Sequence, residues 1–335
     1  MPGKSYYRIE LMDPMSAALT ASEEQARAVE TLLCKAGSPR NGRDVPHFWE
    51  PGVGQERFIP VGDAEIRVFH FRPERPSGVR PVVVMPGWGA TPEGFQELYA
   101  ILHGQAELFY LETREKPSSR ILHRRADMSV RRSARDVQAA LEALGLAGRR
   151  DFLLLGACWG GMIILRGLAE GILKAPTIVA ADPMHTLWFP RWVLRYVSPL
   201  LPTAVVHLLR PFLLHGMLGD MKEPVQKERI FQFVRSADIW KWKKSAEAAR
   251  EDELFGALSG IKKEVFVLNG TGDKVHDQRD YPRIAGELPG GRFLFLPTDE
   301  SLRERLFGAV ALEFAKVSAA QGLPPSLAGF EKPVR

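Results

Sequence analysis

Cys158 stands at the centre of Gly156-Ala157-Cys158-Trp159-Gly160-Gly161. A nucleophile-type side chain with small residues two before and two after it has the spacing of a nucleophile elbow, a sharp strand-to-helix turn. Side chains flanking the centre of so tight a turn would clash, and glycine removes them. The apolar run Phe152 to Leu155 supplies the strand, and Met162-Ile163-Ile164-Leu165 opens the helix. A thiol at this point suits acyl transfer through a thioester, provided that a base takes its proton.

The composition leaves room for such an enzyme. At 335 residues, with 45% hydrophobic and 25% charged content, the chain can bury a full-sized core. Its two cysteines, Cys34 and Cys158, form no disulfide framework, which fits a reducing, cytoplasmic setting. Residues 1–10 carry charges without an apolar h-region, so no secretory signal is expected. No segment approaches the ~18 uninterrupted apolar residues of a spanning helix. Net charge is +5, and between Arg114 and Arg135 eight basic residues face only Glu115 and Asp127. That run reads either as a solvated loop and helix face or as a docking patch for a phosphate or carboxylate. Zinc-ligand spacing, a Walker A loop and GxGxxG are absent, so no metal, cofactor or nucleic-acid partner is expected.

Stepping outward from Cys158, strands and helices alternate. Ser22-Glu23-Glu24-Gln25 reads as a capping box for a helix running to about Lys35, on which Cys34 counts as a small apolar residue. Glu56 to Pro60 and Ala64 to Phe71 predict a hairpin around Gly62-Asp63. Pro81 to Met85, Ala106 to Leu111, Phe152 to Leu155, Thr177 to Ala181, Glu264 to Leu268 and Arg292 to Leu296 predict short buried strands. Helices are expected over Glu93 to Leu102, Ser129 to Leu144 and Leu302 to Val317. This alternation predicts an α/β fold with a mostly parallel sheet covered on both faces. The chain divides into a helical appendage (1–54), a first core part (55–183), a helical cap or lid insertion (184–258), a second core part (259–320) and a tail (321–335). From Pro183 to Gly219 there is no acidic residue, and Leu187 to Tyr196 mixes aromatics with arginine. Such a cap could pack on the core, line an acyl-binding cavity or touch a membrane surface. Trp240-Lys241-Trp242-Lys243-Lys244 reads as cap packing with a solvated face.

Over residues 55–318 the chain resembles the α/β-hydrolase superfamily. Pro86-Gly87-Trp88-Gly89 resembles the oxyanion loop after the third strand. Leu111 to Ser119 resembles a degenerate form of the D-x-R-G-x-G-x-S loop after the next strand. Gly156-x-Cys158-x-Gly160 is the elbow, and Asn269-Gly270-Thr271-Gly272-Asp273 closes the strand that usually ends in the triad acid. Within the superfamily, G-x-C-x-G-G is similar to the lipase box of polyhydroxyalkanoate synthases, which act on hydroxyacyl-CoA through Cys, Asp and His; dienelactone hydrolases also carry Cys at the elbow. The resemblance implies Cys158 as nucleophile, the Trp88 and Trp159 N–H groups as oxyanion donors, and Asp273 as the acid that orients a histidine. It implies a small acyl substrate, with a CoA thioester among the candidates.

One expected part is missing. The window for the catalytic histidine reads Pro297-Thr298-Asp299-Glu300-Ser301, and no histidine follows His276. Unassisted, a thiol with a reference pKa near ~8.5 is only a few per cent thiolate at neutral pH. His276, three residues after Asp273, could supply the base. Alternatively Asp182, which resembles the acid position of some lipases, could work with His185. The third possibility is lost or altered chemistry, with Cys158 a relic or a carboxylate such as Glu300 or Asp273 acting without a nucleophile. Two functions therefore stand: an acyl hydrolase, thioesterase or acyltransferase, or an inactive relative that binds lipid, membrane or protein.

Overall fold

Short apolar runs between turn residues become strands, and amphipathic runs between them become helices. The computed structural model describes residues 19, 22–37, 45–75, 78–187, 189–218, 224–270 and 277–334. The first half contains α1 (Glu23–Lys35), β1 (Gln55–Pro60), β2 (Ala64–Phe71), β3 (Val82–Met85), α2 (Gln96–Leu102), β4 (Leu108–Leu111), β5 (Arg120–Ile121) and α3 (Val130–Ala143). Then come β6 (Leu153–Ala157), α4 (Trp159–Ala169) and β7 (Thr177–Ala181). The helical insertion, or cap, carries α5 (Thr203–Leu208), α6 (Arg210–Leu218), α7 (Pro224–Ser236) and α8 (Ile239–Ala249). The chain closes with β8 (Val265–Asn269), α9 (Asp280–Glu287), β9 (Gly291–Phe295), α10 (Arg303–Lys316) and β10 (Glu331–Lys332).

The strands form one sheet in the order β1-β2-β4-β3-β6-β7-β8-β9-β10, with β5 on β2. Strands β4, β3, β6, β7, β8 and β9 run parallel. The β1–β2 hairpin at one edge and β10 at the other are antiparallel. Side chains alternate cleanly along the parallel strands, as period-two geometry demands. Val83, Leu154, Ile178 and Val267 join one core cluster with α3, α4 and α9. Val82, Leu155, Val179 and Phe266 join the other with α1, α2 and α10. Both faces are thus covered, which is the condition for an all-apolar parallel strand.

The α/β expectation holds, with differences at the ends of elements. The helix expected over Glu93 to Leu102 begins as a 3-10 turn at Pro92–Phe95. Helix α1 has its capping box, with the Gln25 N–H donating to Ser22 Oγ at 3.1 Å and the Ser22 N–H to Gln25 Oε1 at 3.3 Å. It buries Val29, Leu32 and Leu33 in the α10 cluster, while Cys34 is exposed rather than packed. The tail joins the same cluster through Leu327 and Phe330. Gln25 ties the two chain ends together, donating to Gly329 O at 3.1 Å and accepting from Lys332 Nζ at 2.9 Å. Strands β3, β6, β7 and β8 end side by side, with Met85 opposite Gly156, Ala157 opposite Ala181, and Ala181 opposite Leu268. The groups able to do chemistry gather at that edge.

Candidate active site

The elbow forms where β6 turns into α4. Cys158 has φ 51° and ψ −109°, outside the comfortable regions for a residue with a Cβ. Holding a non-glycine residue there costs about 1–3 kcal/mol, which the surroundings must supply. Three backbone bonds do so: Cys158 N–H donates to Ala181 O at 2.9 Å, and Cys158 O accepts from Met162 at 3.1 Å and Met184 at 3.3 Å. The glycines are there for space. A Cβ on Gly156 would stand 2.6 Å from the Gly160 carbonyl carbon, and one on Gly160 would stand 2.6 Å from Met85 O. Strand β3, the elbow and α4 are therefore in backbone contact.

The loop after β3 lies directly on the thiol. A Cβ on Gly87 would be 3.3 Å from Cys158 Cβ and 3.7 Å from its Sγ. The next residues turn sharply, with Ala90 N–H donating to Gly87 O at 3.1 Å and Gly89 at φ 65°. A positive φ at the third position is what a type II turn requires. Trp88, on that turn, is held by the cap. Its indole Nε1 donates to Ser245 Oγ at 3.0 Å, and its ring lies 4.6 Å from that of Trp242 on α8. Trp242 of the Trp240 to Lys244 cluster thus packs behind Trp88.

A cavity of about 190 Å³ opens beside Cys158, walled by Gly87, Phe95, Leu187, Phe233 and Phe307. Its charged end holds Arg229, Arg303 and Glu304. Arg229 of α7 ion-pairs with Glu304 of α10. Burial pushes the Glu304 carboxyl up, against the pull of Arg229 and Arg303. A larger hollow of about 950 Å³ is lined by Arg57, Arg80, Pro81, Glu107 and Asp151. Those last three precede β3, β4 and β6, so it lies at the opposite end of the strands. In open parallel sheets ligands bind at the carboxyl ends, which favours the smaller cavity.

The remaining candidates separate. Asp273 and His276 lie outside the described residues. Asp182 is buried at the end of β7 with φ 45°. It accepts from Asn269 Nδ2 at 2.8 Å and from Arg303 Nε at 2.7 Å, which sets it beneath the cavity's charged end. His185 does not join it. Its Nδ1 is 2.8 Å from Glu253 Oε1 and its Nε2 3.2 Å from Asp280 Oδ2. Both ring nitrogens are taken up at the neck of the cap, which turns His185 away from the role of base to Cys158. Glu300 begins a 3-10 turn before α10 and does not line the cavity; Glu304, one turn on, does. His47, His70 and His103 pair with Glu50, Glu107 and Tyr99. Among the described residues no histidine lines the cavity. No group of three or more metal-ligand side chains occurs among them either.

The basic run is not a solvated face at its start. Glu112, Thr113, Arg114, Glu115 and Lys116 are all buried. Arg67 grips Glu112 with two bonds, at 2.8 and 3.1 Å. Arg114 grips Asp136 with two more, at 2.5 and 2.9 Å, and reaches Asp63 at 3.2 Å. Burial works against charge on Asp63, but Arg114 and Arg132 hold its carboxyl below the usual range. Lys116 Nζ donates to Gly87 O, and Lys241 of α8 reaches down onto three carbonyls of the same loop. Burial lowers the Lys241 pKa, with Asp238 opposing. The excess of basic residues marks this loop in the sequence, but its burial comes from distant partners. Arg303 carries no periodic or motif signal in the sequence, and Lys116 falls at a variable position of the Leu111 to Ser119 loop.

The neck of the cap holds a titratable imidazole between two carboxylates. Burial alone would favour neutral His185, yet Asp280 and Glu253 raise its pKa above 6.5. Only the imidazolium donates from both nitrogens, so loss of the proton sets a lone pair against a carboxylate. The folded value exceeds the unfolded one, so the stabilisation is complete below about pH 6.5 and is lost as pH rises through the raised value. Thermal unfolding of His185→Gln should show a deficit of about 1 kcal/mol at pH 6 that shrinks by pH 9. A deficit independent of pH would contradict this reading.

The same fold occurs in known proteins. A sequence profile described as the alpha/beta hydrolase family matches residues 52–305. No curated protein matches the chain in sequence. An esterase from Exiguobacterium antarcticum superposes with a TM-score of 0.63 at 19% identity, covering 78% of this chain and 100% of that one. A hydrolase from Pseudomonas aeruginosa PA01 gives 0.61 at 18% identity, covering 78% and 97%. An esterase from Thermogutta terrifontis gives 0.60 at 16% identity, covering 77% and 95%. At such identities the structural likeness speaks for the fold, and the profile, spanning most of the chain, decides the family. With its elbow, its mostly parallel sheet and its cap between β7 and β8, this chain belongs to the alpha/beta hydrolase family.

Proposed function

We propose that the protein is an acyl hydrolase or acyltransferase that works through a thioester on Cys158. The observation that carries this reading is the position of Cys158, held at a positive φ on the elbow and facing a cavity. The thiolate attacks the acyl carbonyl carbon, and the carbonyl electrons move onto oxygen. The N–H groups of Trp88 and Trp159 receive that oxyanion, each worth on the order of 3 kcal/mol in the transition state. As the carbonyl re-forms, the alcohol or thiol leaves, taking the proton first removed from Cys158, and water or another acceptor then cleaves the thioester. The N-terminal end of α4 favours the thiolate. Asp273 and His276 are proposed as the pair that removes and returns the proton, since each described histidine stands outside the cavity.

The size of the cavity supports a substrate class. At about 190 Å³ it is modestly larger than the ~150 Å³ hole that accepts benzene. A short, apolar acyl group fits, as an oxygen ester or a thioester, CoA thioesters included. Hydrolysis of p-nitrophenyl butyrate and butyryl-CoA should be measurable and should exceed that of dodecanoyl analogues by about tenfold or more. Cys158→Ala should lower the rate by about 10³-fold or more, and His276→Ala comparably. Full activity in Cys158→Ala would sink the thioester reading. No turnover of any ester or thioester would favour the inactive, ligand-binding alternative.

A second reading concerns the cap and is independent of turnover. Apart from Leu122 and Phe231, the exposed large apolar side chains among the described residues all come from 192–212. Leu200 is 82% exposed, Leu208 76% and Phe212 74%, in a segment with arginines and no acidic residue. No described helix is long and apolar enough to cross a membrane. An apolar, cationic surface of this kind suits peripheral contact with an anionic lipid surface. Sedimentation with phosphatidylglycerol-containing vesicles should retain the protein. The Leu200→Asp, Phe212→Asp double variant should bind at least about tenfold more weakly. Equal binding by both proteins would remove this role.

A further inference from the structure

We infer that Lys116 is a positioning residue for the oxyanion site, resting on the thioester reading above. Its ammonium fixes the plane of the Gly87–Trp88 peptide, and the cap holds Lys116 in place. The peptide is planar and trans, so its C=O and N–H point in opposite directions. Gly87 O accepts from Lys116 Nζ on one side, and from the Ala90 N–H that closes the turn. The Trp88 N–H is thereby aimed the opposite way. Among the described residues no backbone acceptor takes it. The peptide starts at Gly87, whose Cα lies against Cys158. Fixing the carbonyl therefore fixes the donor beside the thiol.

Burial makes the choice of lysine informative. Lys116 has 0% exposure. Placing an ammonium in the interior costs several kcal/mol unless it is paired and hydrogen-bonded. Its ion partner is Glu115 at 3.2 Å, itself held by Thr113 Oγ1 at 2.6 Å. Replacing a buried pair by apolar side chains is often neutral or stabilising, so stability alone does not account for this one. A cation on the carbonyl does something an apolar residue cannot. It polarises the amide and strengthens the N–H on the far side as a donor.

The cap closes the chain of contacts. Lys241 Nζ donates to the carbonyls of Lys116, Pro117 and Ser119 at 3.0, 3.2 and 2.7 Å. Ser245, one turn further along α8, accepts from the Trp88 indole at 3.0 Å. One helix thus holds both Lys116's loop and the Trp88 side chain. The contacts of α8 thus bear on both parts of the oxyanion site.

The test compares two reactions of Cys158. Alkylation by iodoacetamide develops no carbonyl oxyanion, whereas acylation by p-nitrophenyl butyrate does. Lys116→Met should lower acylation by about 10²-fold, mainly in kcat, and leave alkylation within about threefold. Lys116→Arg should restore part of the loss. In protein labelled with 15N-tryptophan, the Trp88 backbone amide signal should move in Lys116→Met, whether or not the protein turns over substrate. Should Lys116→Met fail to fold, Lys241→Gln is the second variant, with acylation expected to fall about tenfold and alkylation to hold. A moved Trp88 signal in a protein that never acylates would leave the clamp standing and remove the thioester reading. Equal losses in both reactions, or an unmoved Trp88 signal, would overturn the clamp.

Discussion

Everything at the active edge depends on a backbone that cannot relax. Cys158 keeps a positive φ because β3, β7 and α4 press on it from three sides. Gly156 and Gly160 allow that approach, and a methyl group on either would strike backbone atoms. The strain of about 1–3 kcal/mol is absorbed by a sheet buried on both faces. Cys158 is thereby held at the start of α4, with the Gly87 turn close to its side chain.

Charge burial is the second constraint, and it links the cap to the core. The loop after β4 buries five consecutive polar or charged residues. Each cation there has an anion or carbonyl within reach, so the loop is a folded polar network rather than a flexible strap. Lys241 adds the cap to that network from above, and Trp88 packs on Trp242 beside it. At the neck of the cap, His185 joins the segments that enter and leave it through Glu253 and reaches Asp280 of α9. The cap is thus held by polar contacts at its neck and over the oxyanion loop, while its outer face stays apolar and exposed.

Much of this is legible in the sequence. The strands announce themselves as short apolar runs, because a parallel strand buried on both faces admits little else. The Ser22–Gln25 capping box and the elbow glycines are local signals, and they hold in the structure. What stayed hidden depends on distant partners. Lys116 and Arg114 fall in a run that reads as a solvated face or an anion-docking patch, because their partners, Glu115 apart, come from other segments: Gly87, Asp136 and Asp63. His185 read as a possible base because Glu253 and Asp280 are 68 and 95 residues away in sequence (253 − 185 and 280 − 185). The pocket's charged end, from Arg229, Arg303 and Glu304, joins two helices with no shared motif.

The central claim is that Cys158 forms a thioester with substrate, and rapid-quench mass spectrometry tests it most directly. Mixed with p-nitrophenyl butyrate, the intact protein should gain one butyryl group within the first turnover. Peptide mapping should place that group on Cys158, and it should be absent from Cys158→Ala. Turnover with Cys158 unmodified, or a butyryl group carried by another residue, would contradict the account.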